Sequence, residues 1–420
     1  MTRGTPRKAA AARAGPEFDF LRACARTVLD PAATERLLAL TNGPIRWPYL
    51  ADLASRHGLV PLLHRHIADF PAPPAPEAFR EDLDARVQEI ARRNLSATRE
   101  LIEIVRRLEA RGIPAIPFKG PLLALSVYGN LALREFADLD ILARQSDVRA
   151  ASQVLVEMGY RPECGLSELD EANHFSTECE IDFFSTEDPE RQVEIHWALG
   201  RRYHCLPVDL QGLWERARTV SLGGTRVPDL APEDLLLVLA AHGTKHCWER
   251  LGWICDVAEL LRAREGLDWS TIFRSARASG GGRALLLGLV LAANLLGAPL
   301  PRRVESAARA DPTVSRVATR IRRRLASGCA PSPGLLGRFR DHLEILGPTR
   351  DRLRYILGIL FAPRPADRAA LPLPSRLRFL YPALRPALLA ARHLPRLANR
   401  RCNRPVGEEL PEVAKAERNA

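Results

Sequence analysis

The sequence predicts an α+β protein, in which a small mixed β-sheet with its own helices is flanked by N-terminal and C-terminal helical regions. Three observations predict this class. Apolar residues recur at helical spacing before residue 112. Short apolar segments between about 112 and 200 then follow the order β-α-β-α-β-β. Helical spacing returns at Pro232 and continues through the long segment that follows.

The first part of the chain is predicted to be helical. Helical spacing over 17–69, broken at TNGPIRWP, indicates several short helices. The proline-rich segment FPAPPAPE, residues 70–77, is typical of a stiff connector. A long amphipathic helix is predicted from Ala78 to Arg111, and Gly112 ends it. The apolar face of that helix is predicted to comprise Leu95, Leu101, Ile104, Val105 and Leu108.

The segment after Gly112 has strand-like and helical parts in alternation. IPAIPFKG predicts a strand, and PLLALSVYG, with Pro121 in its first turn, predicts a short helix. ADLDILA predicts a second strand, and DVRAASQVLVEMGY a helix that Ser146 or Asp147 caps and Gly159 ends. HFSTECEIDFFS and RQVEIHWAL flank TEDPE, which predicts a β-hairpin.

These patterns divide the chain into four predicted regions. The divisions follow the proline-rich connector, the return of helical spacing and a Pro/Arg-rich segment from about 346. The regions are an N-terminal helical region 1–77, an α/β core with its leading helix 78–222, a helical domain 223–345, and a basic tail 346–420.

Composition restricts the class of partner and compartment. The 420 residues carry a net charge of +11, which favours phosphate-bearing partners but equally suits a generally basic protein. The longest uncharged apolar run, 284–300, contains Gly, Asn and Pro and is short for a membrane span, so it predicts a buried bundle helix. No secretory signal is evident, and eight cysteines without a CxxC pair predict reduced thiols in a cytoplasmic protein.

Two aspartates in the second predicted strand are the first candidate site. Residues i and i+2 of a strand point to the same side, so Asp138 and Asp140 project together. Two adjacent carboxylates repel each other unless a cation lies between them, and Mg²⁺ prefers oxygen ligands. The alternative is a solvated strand edge.

The strand VEIHW repeats this geometry. Glu194 and His196 share one side of it, and Glu194 is predicted to be a third carboxylate. In a two-metal site such a residue holds the ion beside the attacking oxygen and accepts its proton. Glu180 and Asp182 form a rival pair, and Glu194 is preferred because apolar residues flank its strand better.

Five separated motifs in order resemble one known family. The chain shares with it a Lys-Gly step, a Tyr-Gly step, Arg-x-x-x-Asp-x-Asp, Gly-Tyr after a helix and Glu-x-His-Trp. This combination resembles the uncharacterised nucleotidyltransferase family of the DNA polymerase β-like nucleotidyltransferase superfamily. The later segment HGTKHCWERLGWICDVAELL is similar to its helical part. The resemblance covers roughly residues 90–265 and implies a nucleotidyltransferase-type mixed sheet.

The resemblance implies a reaction and a set of ligands. Asp138, Asp140 and Glu194 would be the metal-binding carboxylates, with Mg²⁺ or Mn²⁺ as the ion. An acceptor hydroxyl would attack the α-phosphorus of a nucleoside triphosphate, ATP being one candidate, and pyrophosphate would leave. We also expect neutralisation of any one carboxylate to relieve repulsion and raise the melting temperature slightly.

Other residues are predicted to contact the nucleotide. The wider superfamily has Gly-Ser where this chain has Lys119-Gly120, so a lysine charge replaces the hydroxyl contact. Arg134 is a candidate phosphate clamp, with a surface arginine as the alternative. His196 is expected beside the metal ligands rather than among them, and Asp256 is expected to bond within the helical domain. Three further residues are predicted to line the cleft, the histidines alternatively being a buried structural pair: His242, Lys245 and His246.

The leading function is a Mg²⁺-dependent nucleotidyltransferase with an unidentified acceptor, such as a metabolite, sugar, peptide, protein or tRNA. The alternative is a catalytically weak or inactive relative that binds a nucleotide or a protein. A transferase acting on RNA is a third candidate, but no RNA-binding motif with interleaved aromatic residues supports it.

The C-terminal segment 374–405 predicts a second kind of contact. It contains eight arginines, no acidic residue and interleaved leucines, a composition suited to the surface of an anionic membrane. The prediction is peripheral association with the inner face of the membrane. The alternative is that the segment packs on the helical domain, because Pro382, Pro386 and Pro395 are expected to interrupt an amphipathic helix.

Overall fold

The N-terminal region consists of short helices, as predicted. The computed structural model describes residues 15–69, 75–163, 174–201, 203–204, 208–327 and 333–402. Asp30 caps the second helix by accepting a hydrogen bond from the Ala33 amide, and Gly58, at φ 66°, ends the third. The helices are α1 (Pro16–Cys24), α2 (Pro31–Thr41), α3 (Trp47–His57) and α4 (Val60–Ala68).

The long amphipathic helix is α5 (Glu77–Ala110), within one residue of its predicted bounds. Its predicted apolar face is buried with one exception. Leu95 was expected on that face but is 46% exposed, whereas the polar Asn94 and Thr98 are buried. Asn94 is inside because its side-chain amide donates to two carbonyls of the following loop, those of Leu131 and Arg134. On α5, the buried polar side chain of Asn94 therefore takes the inward position at which an apolar residue was expected, and Leu95 faces outward.

The α/β core contains a mixed sheet of five strands among the described residues. The elements are β1 (Ala115–Phe118), α6 (Gly120–Ser126), β2 (Asp138–Ala143), α7 (Val148–Glu157), β3 (Tyr160–Pro162), α8 (His174–Thr177), β4 (Glu180–Ser185) and β5 (Gln192–His196). The strand order is β1-β2-β5-β4-β3, in which β2 and β5 are parallel and the other neighbours antiparallel. The predicted hairpin is β4–β5. Prediction missed β3 and α8, which are too short to show a periodicity.

One face of this sheet is apolar and covered by α5 and α7. Leu139 and Ile141 of β2 lie there with Ile195 of β5 and Phe183 of β4, all at most 4% exposed. Asp147 precedes α7 as predicted, although its side chain makes no capping hydrogen bond. Because side chains alternate along a strand, burial of this face sends the neighbouring positions to the opposite face.

A small hairpin follows the core. Helix α9 (Leu210–Arg216) leads into β6 (Arg218–Leu222) and β7 (Thr225–Asp229), which pair antiparallel. The connecting Gly223 and Gly224 have φ values of 56° and 82°, a conformation that favours glycine at both positions of a tight hairpin turn. Val227 of β7 packs in the same apolar cluster as Leu139.

The helical region begins at Pro232, as predicted. The helices are α10 (Pro232–Lys245), α11 (Leu251–Ala263), α12 (Trp269–Ala278), α13 (Gly282–Leu296), α14 (Arg302–Ala310), α15 (Pro312–Ala326) and α16 (Gly334–Ile345). The apolar run 284–300 forms most of α13, which packs against α10, α11 and α15 and so confirms the predicted buried bundle helix. The apolar cluster around α13 also contains residues of α1, α3 and α4, so the N-terminal helices share this core.

The C-terminal region is helical to the end of the described chain. It comprises α17 (Thr349–Phe361), α18 (Pro365–Ala370), a 3-10 segment (Ser375–Leu380) and α19 (Tyr381–Cys402). The expectation that prolines interrupt the last helix is wrong, since α19 runs through Pro386 and Pro395. Of the predicted segment 374–405, residues 403–405 lie outside the described residues. In the part of the chain that the structure describes, no helix combines the length and hydrophobicity needed to cross a bilayer.

Candidate functional site

A row of carboxylates crosses three adjacent strands on the face of the sheet opposite the apolar one. Asp140 of β2 lies directly opposite Glu194 of β5, and Glu194 lies directly opposite Asp182 of β4. Asp138 shares this face because it is two residues from Asp140. Glu194, the predicted third carboxylate, and Asp182, a member of the rival pair, are therefore neighbours on one face of the sheet. The sequence alone cannot show this pairing.

His196 lies among these carboxylates and contacts Asp140, Glu194 and also Glu180 of β4. Its Nε2 is 2.9 Å from Oδ1 of Asp140 and 3.2 Å from Oε2 of Glu194. Its Nδ1 is 3.1 Å from Oε2 of Glu180. Glu180 is held in turn by the Nζ of Lys245, which donates to its two oxygens at 2.9 and 3.0 Å. The histidine thus lies inside the carboxylate cluster rather than beside it, and Lys245 closes the cluster at one edge.

Lys119 closes the other edge from the turn between β1 and α6. Its backbone angles, φ 59° and ψ −141°, are rare for a residue with a side chain and cost on the order of 1–3 kcal/mol. Its Nζ lies 2.8 Å from Oδ2 of Asp140 and 3.4 Å from Nδ1 of His242. The adjoining Gly120 is also at positive φ, and a Cβ there would lie 3.7 Å from the carbonyl oxygen of Asp138. This turn therefore places the lysine against the candidate metal ligand.

Asp138 and Asp182 are buried carboxylates whose ionisation is unfavourable. Burial raises the pKa of Asp138 to about 6, and the carboxylates of Asp140 and Glu194 add to the shift. Burial, followed by Glu194 and Glu180, raises the pKa of Asp182 to about 8. Both groups hold a proton more readily than an isolated aspartic acid does, because burial and the neighbouring carboxylates outweigh the charges of the nearby cations.

Asp140 is in the opposite electrostatic situation. Burial opposes its ionisation, but the charges of Lys119 and His196 outweigh burial and hold the pKa of Asp140 at about 2. The same contacts with Asp140, Glu180 and Glu194 hold the pKa of His196 well above its usual value, although burial acts against it. Asp140 is therefore an anion between two cations, the lysine ammonium and the histidine imidazolium.

The residues present fit a hard divalent cation by donor type. Asp140, Glu194 and His196 each offer one ligand atom, and these atoms lie within 4.8 Å of one another. Asp138 adds carboxylate oxygens on the same face, and burial followed by the charges of Asp140 and Glu194 raises its pKa. Lys119 and His196 each contact one oxygen of Asp140, so an ion bound to that carboxylate would share its oxygens with these cations or displace one of them.

Arg134 joins the core to the helical region. Its Nε and Nη2 donate to the two oxygens of Asp256 at 2.8 and 3.0 Å, and Tyr128 donates its hydroxyl to Asp256 at 2.7 Å. The expectation that Asp256 bonds within the helical domain is wrong, because Asp256 contacts two residues of the core across the interface. The Nη1 of Arg134 is buried without a hydrogen-bond partner, so one donor remains for another group.

A cluster of aromatic rings adjoins Lys119 at the end of α10. His242 and His246 lie 4.7 Å apart between ring centroids, and Trp253 of α11 lies 5.1 and 5.2 Å from them. All three rings are partly exposed. Burial lowers the pKa of both histidines well below the usual value, with Lys119 and Lys245 adding to the shift, so both rings are neutral. Trp253 is a partly exposed member of this cluster and also packs against the helical core.

The corner between α10 and α11 holds this cluster in place. Cys247 and Trp248 have φ values of 52° and 53°, and the Trp248 ring is fully buried in the corner. A Cβ at Gly243 would lie 2.4 Å from that ring, so glycine is required there. The sequence signal for this arrangement was HGTKHCW, in which a glycine precedes a tryptophan by five residues in an otherwise helical pattern.

Comparison with known proteins supports the resemblance. Residues 43–297, more than half of the chain, match the family described as uncharacterised nucleotidyltransferase. The matched range contains the five-stranded sheet, its carboxylate row and helices α10 and α11. No curated protein matches the chain. This protein belongs to the uncharacterised nucleotidyltransferase family.

Proposed function

We propose that this protein transfers a nucleoside monophosphate from a nucleoside triphosphate, such as ATP, to the hydroxyl group of an acceptor in a reaction that needs Mg²⁺ or Mn²⁺. Family membership gives the chain a general role in nucleotidyl transfer. The observation that carries the finer proposal is the in-register pair of Asp140 and Glu194, with Asp138 on the same face. Three carboxylates converging beside a buried lysine suit a metal-bound triphosphate.

In this proposal Asp138, Asp140 and Glu194 hold the divalent ion. The ion supplies positive charge that compensates the triphosphate and the leaving pyrophosphate. Glu194 also accepts the proton of the acceptor hydroxyl, because its carboxylate lies at the middle of the row. The Nε2 of Gln192 donates to its Oε1 at 2.9 Å, which leaves Oε2 facing His196.

Lys119 and His196 provide charge for the phosphates. Both cations compensate Asp140 in the protein without a metal, and an ion held by Asp140 would take over part of that compensation. The ammonium group of Lys119, beside the turn at Gly120, can then contact phosphate oxygens. Arg134, with its one unused donor, is assigned the same task at the edge of the site. His242, His246 and Lys245 line the side on which the nucleotide lies.

The direct test incubates the purified protein with each labelled triphosphate, Mg²⁺ and a cell extract. The expected result is a labelled product whose formation stops on removal of the metal or in Asp140→Asn. If no triphosphate yields a product, while ATP still binds with a metal, the protein is the nucleotide-binding relative instead.

The second candidate is a relative without catalytic activity that binds a nucleotide or a protein. One observation favours it: Lys119 and His196 already compensate Asp140, so the polar face is stable without a metal ion. Calorimetric titration with Mn²⁺ in the absence of nucleotide separates the two. If the protein is the enzyme, we expect a heat of Mn²⁺ binding that disappears in Asp140→Asn. If it is the relative without activity, we expect no heat of binding at this site in the parent protein.

The proposal places the protein in the cytoplasm, at least in part against the inner face of the membrane. The four cysteines that the structure shows as free, Cys24, Cys179, Cys247 and Cys255, are all buried and suit a reducing compartment.

A further inference from the structure

The exposed apolar surface of this protein is concentrated near its C-terminus. Ten of the fifteen exposed large apolar side chains in the described ranges lie between residues 335 and 380. Scattered single apolar residues are normal on a protein surface, but a concentration of this kind marks a contact site.

Helix α17 carries the best-ordered part of this surface. Leu353, Leu357, Leu360 and Phe361 are all exposed and recur at i, i+4, i+7 and i+8, so they form one stripe along the helix. The opposite side of α17 is fixed to the protein. Tyr355 is buried, and a Cβ at Gly358 would lie 2.4 Å from the ring of Tyr203. The stripe therefore points away from the fold.

The segment of the chain that contains this stripe is basic. Residues 346–380 contain seven arginines and two aspartates, with no lysine or glutamate. One of the two aspartates, Asp367, is buried and pairs with Arg385. On the helix, Arg350 falls within the sector of the apolar stripe and Arg354 lies at its edge, both exposed. An apolar stripe with arginines along it is the composition of a helix that lies on an anionic lipid surface.

We propose that the outer face of α17 docks on the surface of an anionic lipid bilayer, with Leu353, Leu357 and Phe361 among the acyl chains and Arg350 and Arg354 at the lipid phosphates. A second copy of the chain fits less well, because a twofold contact through this face would bring the arginines of one copy against those of the other.

This surface differs from the one expected from composition alone. The start of α19, within the predicted segment 374–405, is part of the fold. Tyr381 is buried, its hydroxyl donating to the carbonyl of Leu371, and Arg385 is buried against Asp367. The docking helix is instead α17, which precedes that segment. The inference depends on neither the carboxylate row nor nucleotidyl transfer.

The test is co-sedimentation of the full-length protein with phosphatidylcholine vesicles that contain or lack phosphatidylserine. At low salt, binding is expected only to the anionic vesicles. It should be lost at about 1 M NaCl, where the screening length falls to about 3 Å. Leu353→Ser with Leu357→Ser should lower the partition coefficient by about tenfold or more. Arg350→Gln and Arg354→Gln should each lower it about fivefold.

Matched control variants distinguish binding through this face of α17 from nonspecific binding through any exposed apolar or basic residue. Leu38→Ser with Leu95→Ser removes two leucines that are 48% and 46% exposed, close to the 54% and 46% of Leu353 and Leu357. Arg302→Gln with Arg303→Gln removes two exposed arginines elsewhere. Both controls should bind as the parent does. Equal losses in the controls, or no anionic binding by the parent, overturn the proposal. So does a stable dimer that Leu353→Ser with Leu357→Ser converts to a monomer, because the face then joins two copies.

Discussion

Lys119 and Asp140 form a buried ion pair on the β2 side of the carboxylate row, with 2.8 Å between Nζ and Oδ2 and at most 9% of either side chain exposed. His196 contacts the other carboxylate oxygen at 2.9 Å. Asp140 is thus compensated on both sides, whereas at Asp138 burial and the neighbouring carboxylates outweigh the nearby cations. We therefore expect neutralisation to relieve repulsion at Asp138 but not at Asp140.

Neutralisation of the two aspartates is expected to change stability in opposite directions. Asp140→Asn leaves a buried lysine and a buried imidazolium without their shared partner and should lower the free energy of unfolding by about 3 kcal/mol. Asp138→Asn removes a carboxylate whose ionisation is unfavourable and should raise it by about 1 kcal/mol. Urea denaturation at pH 7 measures both. A stabilised Asp140→Asn variant would show that the ion pair does not exist in solution.

The identity of the third metal-binding carboxylate is tested by paired substitutions. Glu194→Gln should abolish transfer, because it removes a metal ligand and the acceptor of the hydroxyl proton. Asp182→Asn should retain most activity, since the raised pKa of Asp182, about 8, leaves it largely protonated at pH 7. The measurement is initial rate at saturating triphosphate with folding checked by circular dichroism. The reverse pattern would transfer the role to Asp182.

Lys119 is expected to act through phosphate charge. Lys119→Ala should weaken binding of a triphosphate more than binding of a monophosphate, because the lost attraction grows with the number of phosphate charges. Calorimetry of ATP and AMP with Mg²⁺ measures the two losses. Lys119→Arg, which keeps the charge, is the control. Equal losses for ATP and AMP would identify Lys119 as a structural counter-ion of Asp140 alone.

The ring of Trp253 is expected to stack on the base of the nucleotide. Aromatic stacking on a base contributes on the order of 1–3 kcal/mol, so Trp253→Ala should weaken ATP binding by about tenfold or more. Inorganic triphosphate lacks a base and should bind the parent and the variant equally. Trp253→Phe, which keeps an aromatic face, should retain most of the affinity. A matching loss for inorganic triphosphate would place the effect in the corner between α10 and α11 instead.

His57 is expected to make stability depend on pH. It is buried, and its Nδ1 accepts a hydrogen bond from the Leu251 amide at the start of α11. Burial lowers its pKa to about 4, and the charges of Arg56 and Arg250 add to the shift. Because the folded pKa lies below the unfolded value of about 6.5, the neutral ring stabilises the fold above pH 6.5. That stability is lost as pH falls toward 4.

The loss attributable to His57 should approach about 3 kcal/mol over this interval. The measurement compares urea denaturation of the parent and of His57→Gln from pH 7 to pH 4. The difference between them should shrink as pH falls. Parallel curves would show that other groups cause the acid sensitivity.

Local patterns in the sequence were sufficient for the α+β class and for most of the core elements. The periodicity of α5, of the run that forms α10 and α11, and of 284–300 predicted helices there, and the alternation in β2 and β5 predicted strands, because both patterns are regular along the chain. The corner that separates α10 from α11 was not predicted. Spacing also predicted that Asp138 and Asp140 share a side, as do Glu194 and His196. The motifs that carried the family resemblance lie within the residues that match the family.

The partners of each charge were decided only by the tertiary structure. Strand register placed Asp140, Glu194 and Asp182 in one row, although they are far apart in sequence. The turn at Lys119 brought its ammonium onto Asp140, and the corner at Trp248 brought Trp253 beside the two histidines. A composition pattern also cannot distinguish an arginine on the surface from Arg385, which is buried against Asp367. The physical reason is that electrostatic and packing energies depend on distance and burial in three dimensions, which no local pattern encodes.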